Sequence, residues 1–568
     1  MRNYWKRVLA TVIVFVTCTF AMAVYAEPAD IQGNWARTEI NRWIDRGIFK
    51  GDANGNFKPD SAISRAEFAA VINRIFNYKD RSGIVFSDVK ASDWFAADID
   101  KAAAAGVLQG NGGKAMPNVP VTRQEAAVML ARAFCLEASD KNAVKGFNDA
   151  ASIPSWSRDA LNAMYEKKYI SGQPGNVIAP AAKTSRAEAV KMLDNIVSEM
   201  KNKPGTYSGT VEGNLVVNTA DAVLESMVIK GDLYLTQGIG DGSVTLNNVT
   251  VKGRTIVNGG GDHSVVIKNS TLSGSLYVYK KDGKVRILAQ GSTDIPSVFM
   301  LSGGTLEESG ITGNGFGDVQ AATTIAQGQS LILNGIFDEV SVEAARIDVK
   351  VAGGSVNSLT VGANAAGSNI TIAEGAAVST LTMDGAVNIK GKGAVNTANL
   401  NVNGITMEQI PAVINGKTGV ILPSNLEAAL NGASGGAGGG GSTEETLKVV
   451  SASAYVGGSW IAAKEKSSGV WEVDLTGKDV KAMFTDLKVS ASPDVVKADV
   501  VYLSIFSYSK NFTNGSAIVN IHSMMGAADT GEPGVSIQSI KDLGETEFTV
   551  SISDSNGKTK SVTIRLVV

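Results

Sequence analysis

With 568 residues and 59.0 kDa, the chain is too long for one hydrophobic core, since domains of about 100–200 residues are usual. Its 52 Lys and Arg nearly balance 55 Asp and Glu, so no strong field recruits nucleic acid or an anionic membrane. Two Cys and two His exclude a disulfide-stapled fold and a structural zinc site, because Cys18 falls in a leader and Cys135, His263 and His522 are scattered along the chain. No cofactor or metal is expected.

The chain opens with Arg2, Lys6 and Arg7, then an apolar stretch from Val8 to Val24, then Val24-Tyr25-Ala26 as a cleavage site. This pattern predicts a signal peptide over 1–26, with the mature chain starting at Glu27. A retained anchor is the alternative, but the apolar run falls short of the ~20 residues of a spanning helix. Lipidation of Cys18 is disfavoured by its position in mid-run after Thr17. No later segment is long and apolar enough to span, so no membrane span is expected after signal cleavage.

Internal repeats follow. Asp30, Trp35, Gly47, Gly51, Pro59 and Ser64-Arg65-Ala66-Glu67 recur as Asp88, Trp94, Gly106, Gly110, Pro117 and Thr122-Arg123-Gln124-Glu125. A third copy runs Asp149, Trp156, Gly172, Pro180 and Ser185-Arg186-Ala187-Glu188. The arginines lie 58 and 63 residues apart (123 minus 65, 186 minus 123), which fits two helices and a loop per unit. The first helix of the first unit is predicted over Trp35 to Arg46, with Ile40, Trp43 and Ile44 at helical spacing and Gly47 as its stop. The second helix of each unit opens with Ser or Thr followed three residues later by Glu, a capping box that pairs Ser64 with Glu67, Thr122 with Glu125 and Ser185 with Glu188. Capping accounts for those residues. It does not account for an Arg in the first helical turn, at the positive end of the macrodipole. Such a guanidinium, held by a neighbouring Glu, suits a carboxylate or phosphate, and the Trp suits the face of a sugar ring. Three acidic-glycan grooves are one reading; a packing Trp and a solvated Arg are the other.

These residues resemble the S-layer homology domain, in three tandem copies over about residues 27–200. The likeness rests on Asp30-Ile31-Gln32-Gly33-Asn34-Trp35, on the run Gly51 to Pro59, and on the three Ser/Thr-Arg-x-Glu signatures. The resemblance implies a pseudo-threefold, three-pronged helical module that attaches exported proteins non-covalently to an acidic secondary cell-wall polysaccharide, often one carrying pyruvate ketals. It also implies that Arg65, Arg123 and Arg186 contact the acidic groups. Trp35, Trp94 and Trp156 would shape the grooves, with Asp30, Asp88, Asp149, Glu67, Glu125, Glu188, Gly51, Gly110 and Gly172 completing them. There are departures: Pro28 stands where the family has Phe, and the second and third loops read Asn111 to Met116 and Gln173 to Asn176. Asp52, Asn54 and Asn56 imitate the start of a calcium loop, but Ile63 stands where its last Glu belongs.

From Thr206 to Val420, short aliphatic runs alternate with Gly, Asn and Asp, as in strands and tight turns. Gly231, Gly253 and Gly274 recur, and so do Val340-Ser341-Val342, Leu359-Thr360-Val361, Leu381-Thr382-Met383 and Leu400-Asn401-Val402, with Ile347-Asp348-Val349, Ile370-Thr371-Ile372 and Val387-Asn388-Ile389 between them. Coils of about 20 residues predict a parallel β-solenoid, with an antiparallel sandwich as the alternative. Solenoids also host polysaccharide-cleaving enzymes. Asp241 and the Asp262-His263 pair are the best acids here, and they read as turn or surface residues, so no catalytic constellation is expected.

A run of glycines between Asn431 and Thr443 predicts a flexible tether. Runs such as Val500 to Ile505 and Phe548 to Ile552, with an Asn556-Gly557 turn, predict a last immunoglobulin-like β-sandwich. Tyr455, Trp460 and Trp471 read as its core before they read as a sugar platform. The expected organisation is therefore multidomain α + β: signal peptide 1–26, repeats at 27–82, 83–142 and 143–203, solenoid 204–430, linker 431–443 and sandwich 444–568. The expected protein is a non-enzymatic, exported surface protein held to an acidic glycan, with self-association in a surface layer as a further expectation. A wall-anchored polysaccharide-cleaving enzyme is the alternative.

Overall fold

The computed structural model describes residues 27–262 and 265–432 and, beyond 448, the strands of the C-terminal region. The expected signal peptide, most of the glycine-rich stretch, His263 and the Asn556-Gly557 turn lie outside the described residues. The chain divides into two compact units, one holding the helical repeats and the solenoid, the other the C-terminal sheets.

Each repeat is a helix pair: α1 (Arg37–Asp45) with α2 (Arg65–Phe76), α3 (Ala96–Ala104) with α4 (Arg123–Ala133), and α5 (Ser155–Glu166) with α6 (Arg186–Ile196). The first helix begins two residues later than its apolar spacing suggests, because Asn34 Oδ1 takes the Ala36 amide and holds Trp35 in a turn. Ser64, Thr122 and Ser185 cap α2, α4 and α6, and in each the Glu returns a carboxylate to the cap's own amide. These reciprocal bonds satisfy donors that a helix start otherwise leaves open.

The three repeats close on themselves. The Ile63 amide donates to the Thr184 carbonyl at 3.0 Å, Thr184 to Val121 at 2.8 Å, and Val121 to Ile63 at 2.9 Å. All three residues are fully buried, so this backbone ring marks a pseudo-threefold axis. The remaining first-turn amides are taken by the neighbouring repeat: Arg65 and Ala66 donate to Val119 and Pro117, Arg123 and Gln124 to Ala182 and Pro180, and Arg186 and Ala187 to Ser61 and Pro59.

The chain passes from α6 directly into the strand Val197–Lys201, so the third repeat ends short of residue 203 and its last residues already belong to the first coil. From there to residue 407 every strand pairing given is parallel, which makes the region a β-solenoid and not an antiparallel sandwich. One face runs through ten coils in register: Val216, Tyr234, Ile256, Tyr277, Phe299, Gln320, Ser341, Thr360, Thr382 and Asn399. Their flanking neighbours, from Leu215 and Val217 to Ala398 and Leu400, point inward and are buried as aliphatic ladders. Gly213, Gly231, Gly253 and Gly274 stack at one corner, where a Cβ on Gly253 or Gly274 would sit within 2.6 Å of the backbone of the coil before.

Two repeats read from the sequence are out of register by two residues. Leu381-Thr382-Met383 pairs with Ala398-Asn399-Leu400, not with Leu400-Asn401-Val402. Likewise Ile347-Asp348-Val349 aligns with Ser368-Asn369-Ile370 rather than with Ile370-Thr371-Ile372. A slip of two preserves the in–out alternation, so hydrophobic pattern cannot detect it. Hydrogen bonds decide it: Asn369 Nδ2 donates to Asp348 at 2.8 Å, Asn388 to Asn369 at 3.2 Å, and Thr406 Oγ1 to Asn388 at 2.8 Å.

The first coils seat the helical ring. Val216, Tyr234 and Ile256 belong to the core of the repeats, with Tyr277 packed beside them. Tyr234 lies edge-on to Phe134 (5.3 Å) and Phe76 (6.4 Å). Polar side chains of these coils finish the helix ends: Asn218 Nδ2 donates to the Arg74 and Ile75 carbonyls of α2, Asn214 Nδ2 to Ile196 of α6, and Tyr234 Oη and Arg254 to the Phe134 carbonyl after α4. Past Phe299 the same face turns polar. The ladder is apolar where the helices cover it.

The described residues of the C-terminal unit form two sheets. One holds Val449–Val456, Ser459–Ala462, Met483–Ala491, Ser516–Asn520 and Val535–Ser536; the other holds Lys464–Ser467, Val470–Asp474, Val495–Tyr502, Phe506–Asn511, Glu547–Asp554 and Thr559–Val567. Val500 to Tyr502 and Phe548 to Ile552 fall on strands as expected, while 503–505 lie outside the described residues. Trp471 is buried, which places it in the core, and Tyr455 stands opposite Trp460 in the register of its strand pair.

Because helices and solenoid share one core, Tyr234→Ala is expected to destabilise both, by about 3–5 kcal/mol, the usual cost of deleting a buried aromatic. Urea unfolding followed by helical circular dichroism and by a probe in the solenoid should shift together. A shift in only one signal would refute the shared core.

Candidate functional site

The signature arginines are heavily engaged. Arg65 Nε donates to the Ala115 carbonyl (2.9 Å), Nη2 to Gln109 (3.0 Å) and Nη1 to Glu125 Oε1 (3.2 Å). Arg123 repeats this one unit on, to Ile178, Ser171 and Glu188, and Arg186 closes the circle to Phe57, Lys50 and Glu67. Each guanidinium thus reaches from one repeat into the loop of the next. Their side chains are only 7%, 7% and 12% exposed. Burial pushes the Arg123 and Arg186 guanidiniums below the ordinary arginine value, against the pull of Glu188 and Glu67.

The glutamates serve two repeats at once. One oxygen of Glu67, Glu125 and Glu188 holds the cap amide of its own helix, and the other accepts from the arginine of the preceding repeat. The aspartates tie the loops. Both oxygens of Asp30 accept from the Phe57 and Lys58 amides, those of Asp88 from Ala115 and Met116, and those of Asp149 from Ile178 and Ala179. The second residue of each pair has positive φ, at 58°, 53° and 51°, a backbone state that needs outside support in residues other than Gly. Around Asp88 burial opposes ionisation, but the two amides outweigh it and hold the carboxyl below the ordinary range.

Gly110 and Gly172 lie under aromatic rings: a Cβ there would meet Phe86 at 2.5 Å or Phe147 at 2.4 Å. With Pro28 in place of that Phe, a Cβ on Gly51 would meet instead the Asn56 carbonyl at 3.0 Å. Asp52 spends its carboxylate on the Asn54 and Asn56 amides and on the Lys58 ammonium at 2.9 Å. Asp241 is paired with Lys280 at 2.6 Å.

The tryptophans are the opposite case. Trp35, Trp94 and Trp156 are 61%, 63% and 55% exposed, so core packing does not explain them. Trp156 lines a groove between α4 and α5, while Trp35 and Trp94 stand two residues before α1 and α3. What the sequence alone missed is that Arg, Glu and Asp of each signature converge on the loops inside the ring while Trp faces out. The inter-repeat spacing shows only that they recur.

The S-layer homology domain model matches residues 29–69, 85–127 and 146–190, the segments that build this ring. The chain carries three tandem S-layer homology domains. It is 35% identical over 178 residues to an amylopullulanase of Thermoanaerobacterium thermosulfurigenes, covering 30% of this chain and 10% of that protein. Against the surface-layer 125 kDa protein of Lysinibacillus sphaericus the figures are 32% over 143 residues, 25% and 12%. Against the S-layer protein sap of Bacillus anthracis they are 25% over 263 residues, 44% and 31%. The chain therefore spans less than a third of each of these relatives. No helix among the described residues is long and apolar enough to cross a membrane.

Within the S-layer homology ring the arginine network has a measurable weight. Arg123→Ala removes one partner of a buried pair and strands the Ile178 and Ser171 carbonyls, so a loss of about 3–5 kcal/mol in unfolding free energy is expected by urea titration; a change below about 1 kcal/mol would contradict the structural role. On the axis, Thr184 is fully buried and its hydroxyl has no hydrogen-bond partner. Such an unmatched hydroxyl costs about 1–3 kcal/mol. Thr184→Val should raise the urea midpoint, and a lowered midpoint would show that the hydroxyl is satisfied.

Proposed function

We propose that the three S-layer homology domains hold this cell-surface protein to an acidic secondary cell-wall polysaccharide, and that the solenoid and C-terminal sheets are displayed as a structural or adhesive element. The observation that carries the reading is the set of three exposed tryptophans on a ring whose signature arginines are committed to neighbouring repeats. An indole face is a good surface for the apolar side of a pyranose, and here one recurs at the same place in each of the three repeats. The relatives support the same reading from another side. Proteins named as a polysaccharide-degrading enzyme and as surface-layer proteins share this segment, so its role is one that both classes need, and attachment is such a role.

In this reading Trp35, Trp94 and Trp156 offer the ring faces. Arg65, Arg123 and Arg186 spend their inner N–H groups on the neighbouring repeat and present only an outer guanidinium edge to a carboxylate. Asp30, Asp88, Asp149, Glu67, Glu125, Glu188, Gly51, Gly110 and Gly172 act by fixing the loops against which the glycan lies. Several weak grooves on one rigid body would add through effective concentration. Self-association of the displayed modules in a surface layer belongs to the same proposal. Catalysis is assigned to none of the solenoid's acids, since Asp241, Asp232 and Glu307 are paired with Lys280, Arg254 and Arg286.

The test is sedimentation of the chain from residue 27 onward with purified cell walls, before and after acid removal of anionic substituents, with released reducing ends followed in the same tubes. Binding should fall at least tenfold on removal, with no sugar release. Binding indifferent to the treatment would overturn the acidic-glycan reading, and steady release of reducing ends would replace the display role with an enzymatic one.

A further inference from the structure

The three grooves are not equivalent. Eight residues after each signature arginine stand Asn73, Ala131 and Asp194 (65 to 73, 123 to 131, 186 to 194), and four after each exposed tryptophan stand Asp98, Ala160 and Glu39 (94 to 98, 156 to 160, 35 to 39). Asn73 meets Asp98 between α2 and α3, and Ala131 and Ala160 line one groove between α4 and α5. Between α2 and α3, Asn73 Nδ2 donates to Asp98 and bridges the groove. Between α6 and α1, Asp194 accepts from Arg42 at 2.6 Å and from the Trp43 indole at 3.1 Å, and Lys191 reaches Glu39 at 2.7 Å. Between α4 and α5 both positions are alanine. No bridge forms at those two positions, although Ser157 Oγ donates to Gln124 Oε1 at 3.1 Å elsewhere between α4 and α5, and a groove of about 560 Å³ lies open beside the alanines.

Its lining suits one kind of occupant. Val128, Ala131 and Ala160 make an apolar floor, Trp156 stands at the side with its face exposed, and Arg132 and Lys141 are the cations within reach. Two acids, Glu137 and Asp159, share the rim; Asp159 lies 3.9 Å from Lys141, both well exposed. Arg132 also links the groove to the ring, because its Nη2 donates to Gln109 Oε1 at 3.0 Å while the Gln109 carbonyl accepts from Arg65. A signature arginine therefore stands one residue behind this groove.

We infer that the α4–α5 groove is the primary glycan site of this chain: a sugar ring stacks on Trp156 over the alanine floor and directs an anionic substituent toward Arg132 and Lys141. The inference rests on the anchoring reading above and ranks its three grooves. The other two are bridged by their own side chains and contribute secondarily.

The experiment uses the chain from residue 27 onward and acidic polysaccharide fragments released from purified cell walls, with affinities measured by calorimetry. Trp156→Ala should weaken binding at least ten times more than Trp94→Ala or Trp35→Ala. The double change Ala131→Asn with Ala160→Asp, which installs the bridge of the α2–α3 groove, should weaken binding at least tenfold while thermal unfolding shows an intact ring. Trp156 is exposed, so its removal leaves the fold in place and a loss reports the site. Equal or larger losses in Trp94→Ala or Trp35→Ala, or full binding by the bridged variant, would overturn the ranking and leave anchoring intact. Absence of binding by the unaltered chain would overturn the anchoring reading, and the ranking with it.

Discussion

Three arginines hold the helical ring together, and most of the molecule follows from how they are placed. Each donates through Nε and both Nη atoms to the next repeat, and the third returns to the first. A closed circle of this kind has no free end. Any repeat that leaves strands two buried half-networks, and partly satisfied polar networks in a low-dielectric interior are the costly state. The glutamates make the arrangement economical, since one carboxylate caps a helix and receives the neighbouring guanidinium.

This placement reassigns the weight of the recurring residues. Arg, Glu and Asp form an inward chain, Asp to loop amide, loop carbonyl to Arg, and Arg to Glu. The tryptophans are the large apolar members of the set that face solvent. Loss of wall binding on removing an arginine would therefore report the ring as much as the glycan, whereas removal of an exposed tryptophan tests the surface alone. The contrast among the three grooves has the same origin: conserving the ring leaves the groove walls free to differ, and here two alanines stand where the other pairs carry Asn, Asp and Glu.

Helices and solenoid form one body for a different reason. The helix C-termini end over the first coils, where their carbonyls need donors, and Asn214, Asn218, Tyr234 and Arg254 supply them. The apolar rungs from Val216 to Tyr277 lie beneath them, and the ladder becomes Gln, Ser and Thr where the cover ends. The chain passes from α6 into the first strand with no residue between them.

Much of this was legible in the sequence. Repeats, capping boxes and helix pairs follow from local chemistry: a Ser or Thr and a Glu three residues apart dictate their own geometry, and aliphatic triplets every twenty or so residues favour stacked coils, though parallel pairing alone excluded a sandwich. The two-residue slips in solenoid register were not legible, because alternation looks the same after a shift of two. Nor was the destination of Arg65, Arg123 and Arg186. Their spacing announces a shared role, but partners 44 to 136 residues away in the chain are chosen by the closing of the ring. Local sequence thus determined the three helix pairs and the β character of the rest. Which polar groups turned inward, and which groove stayed open, was decided only by tertiary closure, because both depend on residues that meet across repeats.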